Sequence, residues 1–141
     1  MTSFISNSRK ETEAFAENIG RRVAPGTVIA FFGGLGAGKT SFTRGLARGM
    51  GITSDVSSPT FAIVNDYGGN PPLVHFDMYK VETWDDLYSS GFFDYLDMGA
   101  VLAVEWSENI ENALPEGTVR VTIEKCDDEN KRTITVEGLD I

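Results

Sequence analysis

The sequence predicts an α/β domain in which strands and helices alternate, and three observations predict it. Residues 27–32 (TVIAFF) form an apolar, β-rich run of the kind carried by a strand buried on both faces. A glycine-rich loop, residues 33–40, follows it directly, and a helical pattern leaves that loop. A second fully apolar run, residues 100–104, recurs far along the chain. The 141 residues fit one domain, 1–141, with enough length for a sizeable core.

The remaining elements follow in order. Ser8 and Glu11 have capping-box spacing and open a helix to about Val23, with Phe15 and Ile19 on one face. Pro25-Gly26 is a turn. The helix after the loop runs from Lys39 to about Met50. Ser41, Gly45 and Gly49 recur along it every four residues and so share a face. Each interior glycine costs about 1 kcal/mol against alanine. Close packing on the sheet would offset that; an end near Gly45 is the alternative. Arg44 and Arg48 fall on the Thr40 face of this helix and read as surface charges. Residues 60–67 and 73–77 read as strands, split by the turn signal of residues 68–72. Thr83 can cap a short helix through Leu87 and Tyr88. Residues 107–114 read as helical. Residues 118–124 and 132–137 alternate like a hairpin, joined by the polar residues 127–131. There is no internal repeat and no low-complexity segment.

Composition narrows the class. With 41% hydrophobic and 11% aromatic residues the chain reads as globular. No apolar run approaches the roughly 20 residues of a membrane helix. The first residues lack the apolar stretch of a signal peptide. The single cysteine, Cys126, reads as a small buried or half-buried residue in a reducing interior. A cytoplasmic location without membrane attachment is expected. The net charge of −9 is uneven. Residues 1–70 carry 7 Lys and Arg against 5 Asp and Glu; residues 71–141 carry 5 against 16. So acidic a second half repels a phosphate backbone, which argues against broad nucleic-acid binding by this chain alone.

The chemistry centres on Gly33, Gly34, Leu35, Gly36, Ala37, Gly38, Lys39 and Thr40, a full match to G-x-x-x-x-G-K-[ST]. A chance match in this length is on the order of half a per cent, so the strand and helix flanking the loop are read as parts of one phosphate site. Glycines let backbone N–H groups turn inward and approach a phosphate. Lys39 supplies a point charge for the outer phosphates, Thr40 offers a hydroxyl to Mg²⁺, and the helix N-terminus adds partial positive charge. Ser41 joins the nucleotide-binding set. ATP or a closely related nucleotide with magnesium is the expected ligand, with ADP the product if ATP is hydrolysed.

A second acid should complete the magnesium site, and two residues end apolar runs: Asp77 and Glu105. In a parallel sheet both reach the carboxyl edge beside the loop. Glu105 follows the better buried strand and is the better positional match to a Walker B acid. Either acid can hold Mg²⁺ or orient the attacking water, so with Lys39 they form the expected catalytic set. His75, the single histidine, lies two residues before Asp77 and reads as a structural strand residue rather than a catalytic one. Trp106, next to Glu105, can cover the site, contact a partner or fill the core.

Residues 33–40, Ser58-Pro59-Thr60-Phe61, His75-Phe76-Asp77-Met78-Tyr79-Lys80, Gly91-Phe92-Phe93-Asp94-Tyr95-Leu96 and Val104-Glu105-Trp106 occur in that order. Together they resemble the TsaE (YjeE) family, small bacterial ATPases of threonylcarbamoyladenosine (t6A) synthesis on tRNA. The resemblance covers about residues 11–132. It implies a P-loop NTPase fold with a mixed, mainly parallel central sheet, flanking helices and a C-terminal antiparallel hairpin. It implies ATP hydrolysis that is weak alone and stronger with the partner proteins TsaB and TsaD. TsaD transfers the threonylcarbamoyl group to adenosine 37 of tRNA, which the ATPase meets only through the complex. By position, Ser58, Pro59 and Thr60 match a switch-like segment near the γ-phosphate, and Asp77, Glu105 and Trp106 match functional positions. Thr12 and Arg132 fall near the nucleotide. The chain departs from the family pattern at Gly34, Ser57, Lys80 and Ser107. Gly34 and Ser57 bear on partner contacts and switching more than on ATP binding, and Lys80 cannot make the bidentate contact of an arginine.

Two other classes use the same loop. A small-molecule kinase needs an arginine-rich lid, for which the chain has no long basic insertion. A regulatory module that holds nucleotide without turnover differs from an ATPase only in the geometry around Glu105 and Asp77. A GTPase would carry the guanine-reading motif N-K-x-D, which is absent.

Overall fold

The computed structural model describes residues 1–33, 38–53, 56 and 64–139. In chain order the elements are β1 (Thr2–Ser6), α1 (Arg9–Gly20), β2 (Val28–Phe32), α2 (Lys39–Gly49), β3 (Val64–Gly69) and β4 (Pro72–Asp77). They continue with α3 (Trp84–Ser89), α4 (Phe92–Asp97), β5 (Val101–Glu105), a 3-10 segment (Ser107–Ala113), β6 (Val119–Lys125) and β7 (Arg132–Glu137). The strands form one seven-stranded sheet in the order β1-β7-β6-β2-β5-β4-β3. The inner strands β6, β2, β5 and β4 are parallel to one another. Both margins are antiparallel: β3 on β4, and the C-terminal hairpin β6–β7 with β1 added. The sheet is therefore mixed with a parallel centre, as expected.

Strand period explains the two cores. On β2, β4 and β5 alternate residues point to opposite faces. Ile29, Phe31, Leu73, Val101 and Ala103 face α1 and α2, where Ile19, Phe42 and Leu46 cover them. Val28, Val74, Phe76, Leu102 and Val104 face the other side, where Leu87 and Phe92 cover them. β2 and β5 are apolar on both faces because both faces are covered, whereas β6 alternates buried Val119, Val121 and Ile123 with polar residues. Each fully buried large apolar side chain contributes about 1.5–3 kcal/mol.

Two elements escape the sequence pattern. β1 is a mixed polar strand, and its existence depends on pairing with β7, from Thr2↔Val136 to Ser6↔Arg132. Phe4 on β1 stacks on Phe15 of α1, with centroids 4.6 Å apart. α4 has only six residues, too few for a helical period to show; the buried Phe92 anchors it edge-on to Phe76. The expected strand over residues 60–67 starts at Val64 among the described residues, and residues 60–63 lie outside them.

The glycine stripe of α2 has a different purpose from the one expected. The helix does not end at Gly45, and the stripe does not face the sheet. It faces α1. A Cβ on Gly45 would collide with the carbonyl oxygen of Glu13, and one on Gly49 with that of Glu17. Gly20 of α1 meets the Leu46 carbonyl in the same way. Arg48, expected to be a plain surface charge, bridges the pair through Glu13 at 2.7 Å.

Gly45→Ala therefore tests the helix pair. Alanine's helix propensity favours the variant by about 1 kcal/mol. The added methyl meets backbone that can yield only if a helix moves, which costs about 1–3 kcal/mol for ordinary overpacking and more where backbone is struck. Urea denaturation should show net destabilisation; a more stable variant would mean that the helices do not approach this closely.

Candidate functional site

The site begins where β2 ends. Gly33 takes φ 125°, and a Cβ there would collide with the carbonyl oxygen of Ile123 on β6. Gly38 takes φ 105° as the residue before α2, a conformation that disfavours any side chain. Both glycines are thus required by the backbone, independently of any ligand. Gly34, Leu35, Gly36 and Ala37 lie outside the described residues, as do Ser57, Ser58, Pro59 and Thr60. Lys39 opens α2 and is only 8% exposed. Its ammonium lies 5.8 Å from the centre of the Trp106 ring, within cation–π range.

The parallel register delivers the two acids. Asp77 and Glu105 are direct partners at the carboxyl ends of β4 and β5. The backbone N–H of Met78 donates to the Glu105 carbonyl at 3.0 Å, locking the two strand ends together. Asn109 donates to the carbonyls of Met78 and Tyr79, at 2.7 and 3.2 Å. The Asp77 carboxylate accepts the Tyr79 N–H at 2.9 Å. Ser107, buried, donates to the Val104 carbonyl at 2.9 Å and closes the turn after Glu105. Between them Trp106 is held at φ 59°, ψ 40°, a left-handed conformation that costs a bulky residue about 1–3 kcal/mol. The turn aims its ring at Lys39 and Tyr79, the latter with centroids 4.8 Å apart.

A cleft of about 640 Å³ opens beside α2. Gly38, Lys39, Thr40, Ser41 and Arg44 form one wall, Glu105 and Trp106 the second. Ser8, Arg9 and Thr12 at the start of α1 form the third, and Glu129, Asn130 and Arg132 of the β6–β7 turn the fourth. The structure thus brings Thr12 and Arg132, 120 positions apart in the numbering, to one cavity with the loop. Thr12 is fixed by the Ser6 hydroxyl at 2.7 Å, and Arg132 by the carbonyl of Glu129 at 2.6 Å. Asp77 stands beside Glu105 but does not line this cleft. Arg9, Glu129 and Asn130 had no sequence signal, and Arg44, read as a surface charge, lines the cleft; only the fold assembles them. Four cations (Arg9, Lys39, Arg44, Arg132) face two acids there, so a chain of net charge −9 carries a cationic cleft.

Magnesium can be tested against these residues by donor chemistry. Among the described residues no group of three or more His, Cys, Asp and Glu forms a ready cage. A hydroxyl and two strand-end carboxylates are hard oxygen donors. They fit an ion that keeps several waters and takes its other ligands from phosphate.

Comparison with known proteins fits this geometry. The family model for "Threonylcarbamoyl adenosine biosynthesis protein TsaE" matches residues 6–134. The chain belongs to the TsaE family. Among relatives, the Bacillus subtilis tRNA threonylcarbamoyladenosine biosynthesis protein TsaE is 41% identical over 131 residues, covering 92% of this chain and 82% of that protein. The Treponema pallidum protein of the same name is 36% identical over 132 residues, covering 94% and 97%. The crystal structure of Bacillus subtilis YdiB superposes with a TM-score of 0.80 at 34% identity, covering 96% of this chain and 83% of that one. The TsaE fold is a nucleotide-binding one, consistent with a cationic cleft at the head of α2.

The position of Trp106 gives this TsaE-family chain an intrinsic reporter. The chain has two tryptophans, and Trp84 is 55% exposed and outside the cleft. In a Trp84→Phe variant, titration with ATP and magnesium should change the emission of Trp106. An emission that stays constant while nucleotide binds by an independent assay would place the nucleotide elsewhere.

Proposed function

We propose that the chain is the ATP-hydrolysing subunit of the tRNA t6A machinery. The observation that carries this reading is the common edge at which Lys39, Glu105 and the helix N-terminus meet in one cationic cleft. The relatives bear the name of the t6A pathway, which supplies the process. TsaB and TsaD are the proposed partners, with tRNA engaged through them and not by this acidic chain. Among the described residues no helix is long and apolar enough to cross a membrane, and we place the protein in the cytoplasm.

The chain's residues divide the work as follows. Loop amides and Lys39 bind the β- and γ-phosphates and stabilise the charge that spreads over the transferring group. Thr12, Ser41 and Arg132 line the remainder of the nucleotide site. Thr40, with Glu105 or Asp77, would hold the magnesium, which supplies charge neutralisation when bound. Glu105, which lines the cleft, orients a water for in-line attack on the γ-phosphorus; Asp77, braced outside it, supports the edge. Ser58, Pro59 and Thr60 serve as the switch-like segment, and Trp106 as the contact covering Lys39.

Lys39→Ala should remove a charge-assisted contact of about 1.5–3 kcal/mol, weakening nucleotide affinity by roughly 10- to 150-fold. Isothermal titration reads this directly, and normal affinity would falsify the site. Glu105→Ala and Asp77→Ala should keep most of the affinity and lose turnover. The rate of ATP hydrolysis should rise when TsaB and TsaD are added. Transfer of the phosphate to a metabolite instead of water would favour a kinase.

A further inference from the structure

His75 is the single histidine and is completely buried in the middle of the sheet. A buried imidazole without polar partners is costly. This one has two polar neighbours. Its Nε2 lies 2.6 Å from Oε2 of Glu105, and its Nδ1 lies 3.4 Å from the Tyr67 hydroxyl. The Nε2–Oε2 approach is close but lacks hydrogen-bond geometry, and neither atom has a hydrogen-bond partner among the described residues. The three residues sit on the adjacent strands β3, β4 and β5. His75 pairs directly with Ala103, so Glu105 is its diagonal neighbour on the same face. That face is otherwise apolar around it, with Leu73, Val101 and Ala103 in the core.

The consequence concerns the carboxylate. Oε2 of Glu105 is buried against the imidazole, while Glu105 as a residue also lines the cleft. One oxygen packs against the buried imidazole, which leaves Oε1 for the cleft. We propose that His75 is a positioning residue that fixes the Glu105 carboxylate in one orientation, with Tyr67 holding the imidazole ring. This rests on the assignment of Glu105 to the hydrolytic site. A histidine that merely fills space would be replaced well by leucine. A histidine that supplies a donor at Nε2 would be replaced well by glutamine, whose amide nitrogen occupies the equivalent position, and poorly by leucine.

The test compares His75→Leu, His75→Gln, Tyr67→Phe and Glu105→Ala in the full chain. Nucleotide Kd, the kcat and KM of ATP hydrolysis, and nucleotide-bound crystal structures are the readouts. His75→Leu should lower kcat by roughly tenfold to a hundredfold, as expected of a misplaced catalytic group, with Kd and KM little changed. His75→Gln should recover most of the lost kcat. Tyr67→Phe, which leaves the packing intact, should lower kcat slightly. Adding His75→Leu to Glu105→Ala should lower the rate no further. Equal losses in the leucine and glutamine variants, or wild-type kcat in both, overturn the proposal. If Glu105→Ala hydrolyses ATP at the wild-type rate, the role of Glu105 itself fails. The crystal structures then decide about His75 alone: a Glu105 carboxylate that keeps its orientation in His75→Leu overturns the positioning role, and one that turns away supports it.

Discussion

The parallel pairing of β2, β5 and β4 is the constraint on which the rest of the molecule depends. Parallel strands bring their carboxyl ends to one edge. Here that edge receives the end of the phosphate loop's strand, Glu105 and Asp77 together. The pairing also explains the composition. Parallel strands need cover on both faces, and so β2 is apolar throughout, while β5 and, His75 apart, β4 are apolar until the acid at their last position. The acid at each strand end is the first residue that can reach solvent or ligand. The Met78 N–H to Glu105 carbonyl bond then keeps the two ends in step.

The close approach of α1 and α2 has an effect at the site as well as in the core. Gly20, Gly45 and Gly49 allow the helices to meet backbone to backbone. That approach draws the start of α1 alongside the start of α2, and Ser8, Arg9 and Thr12 become a wall of the cleft. The edge strand β1 and the Ser6–Thr12 contact hold that wall from the other side. Glycines that cost helix propensity thus contribute cleft geometry. On the opposite wall the β6–β7 hairpin contributes Arg132, whose guanidinium is braced on its own turn.

Electrostatics in this protein are local. The acidic surplus lies in the second half of the chain, yet the cleft gathers Arg9, Lys39, Arg44 and Arg132. A polyanion in the cleft would meet the potential of these close groups more strongly than that of distant, solvent-screened acids. Trp106 adds a face over the Lys39 ammonium, and its left-handed backbone is the strain accepted to aim it there.

The sequence by itself determined the phosphate loop, the strand before it, the helix after it and the two strand-end acids. Each is written in contiguous residues whose spacing follows directly from strand or helix period. It also carried the family, through short segments in fixed order. The tertiary structure alone decided what the distant residues do. β1 exists through β7, the glycine stripe faces α1 and not the sheet, and Arg9, Arg44, Glu129 and Asn130 meet only in the folded cleft. The contact between His75 and Glu105 joins residues 30 positions apart in the numbering, so no local pattern shows it. Pairing register, not sequence spacing, sets which side chains touch across a sheet, and register is fixed only when the whole hydrophobic face is buried.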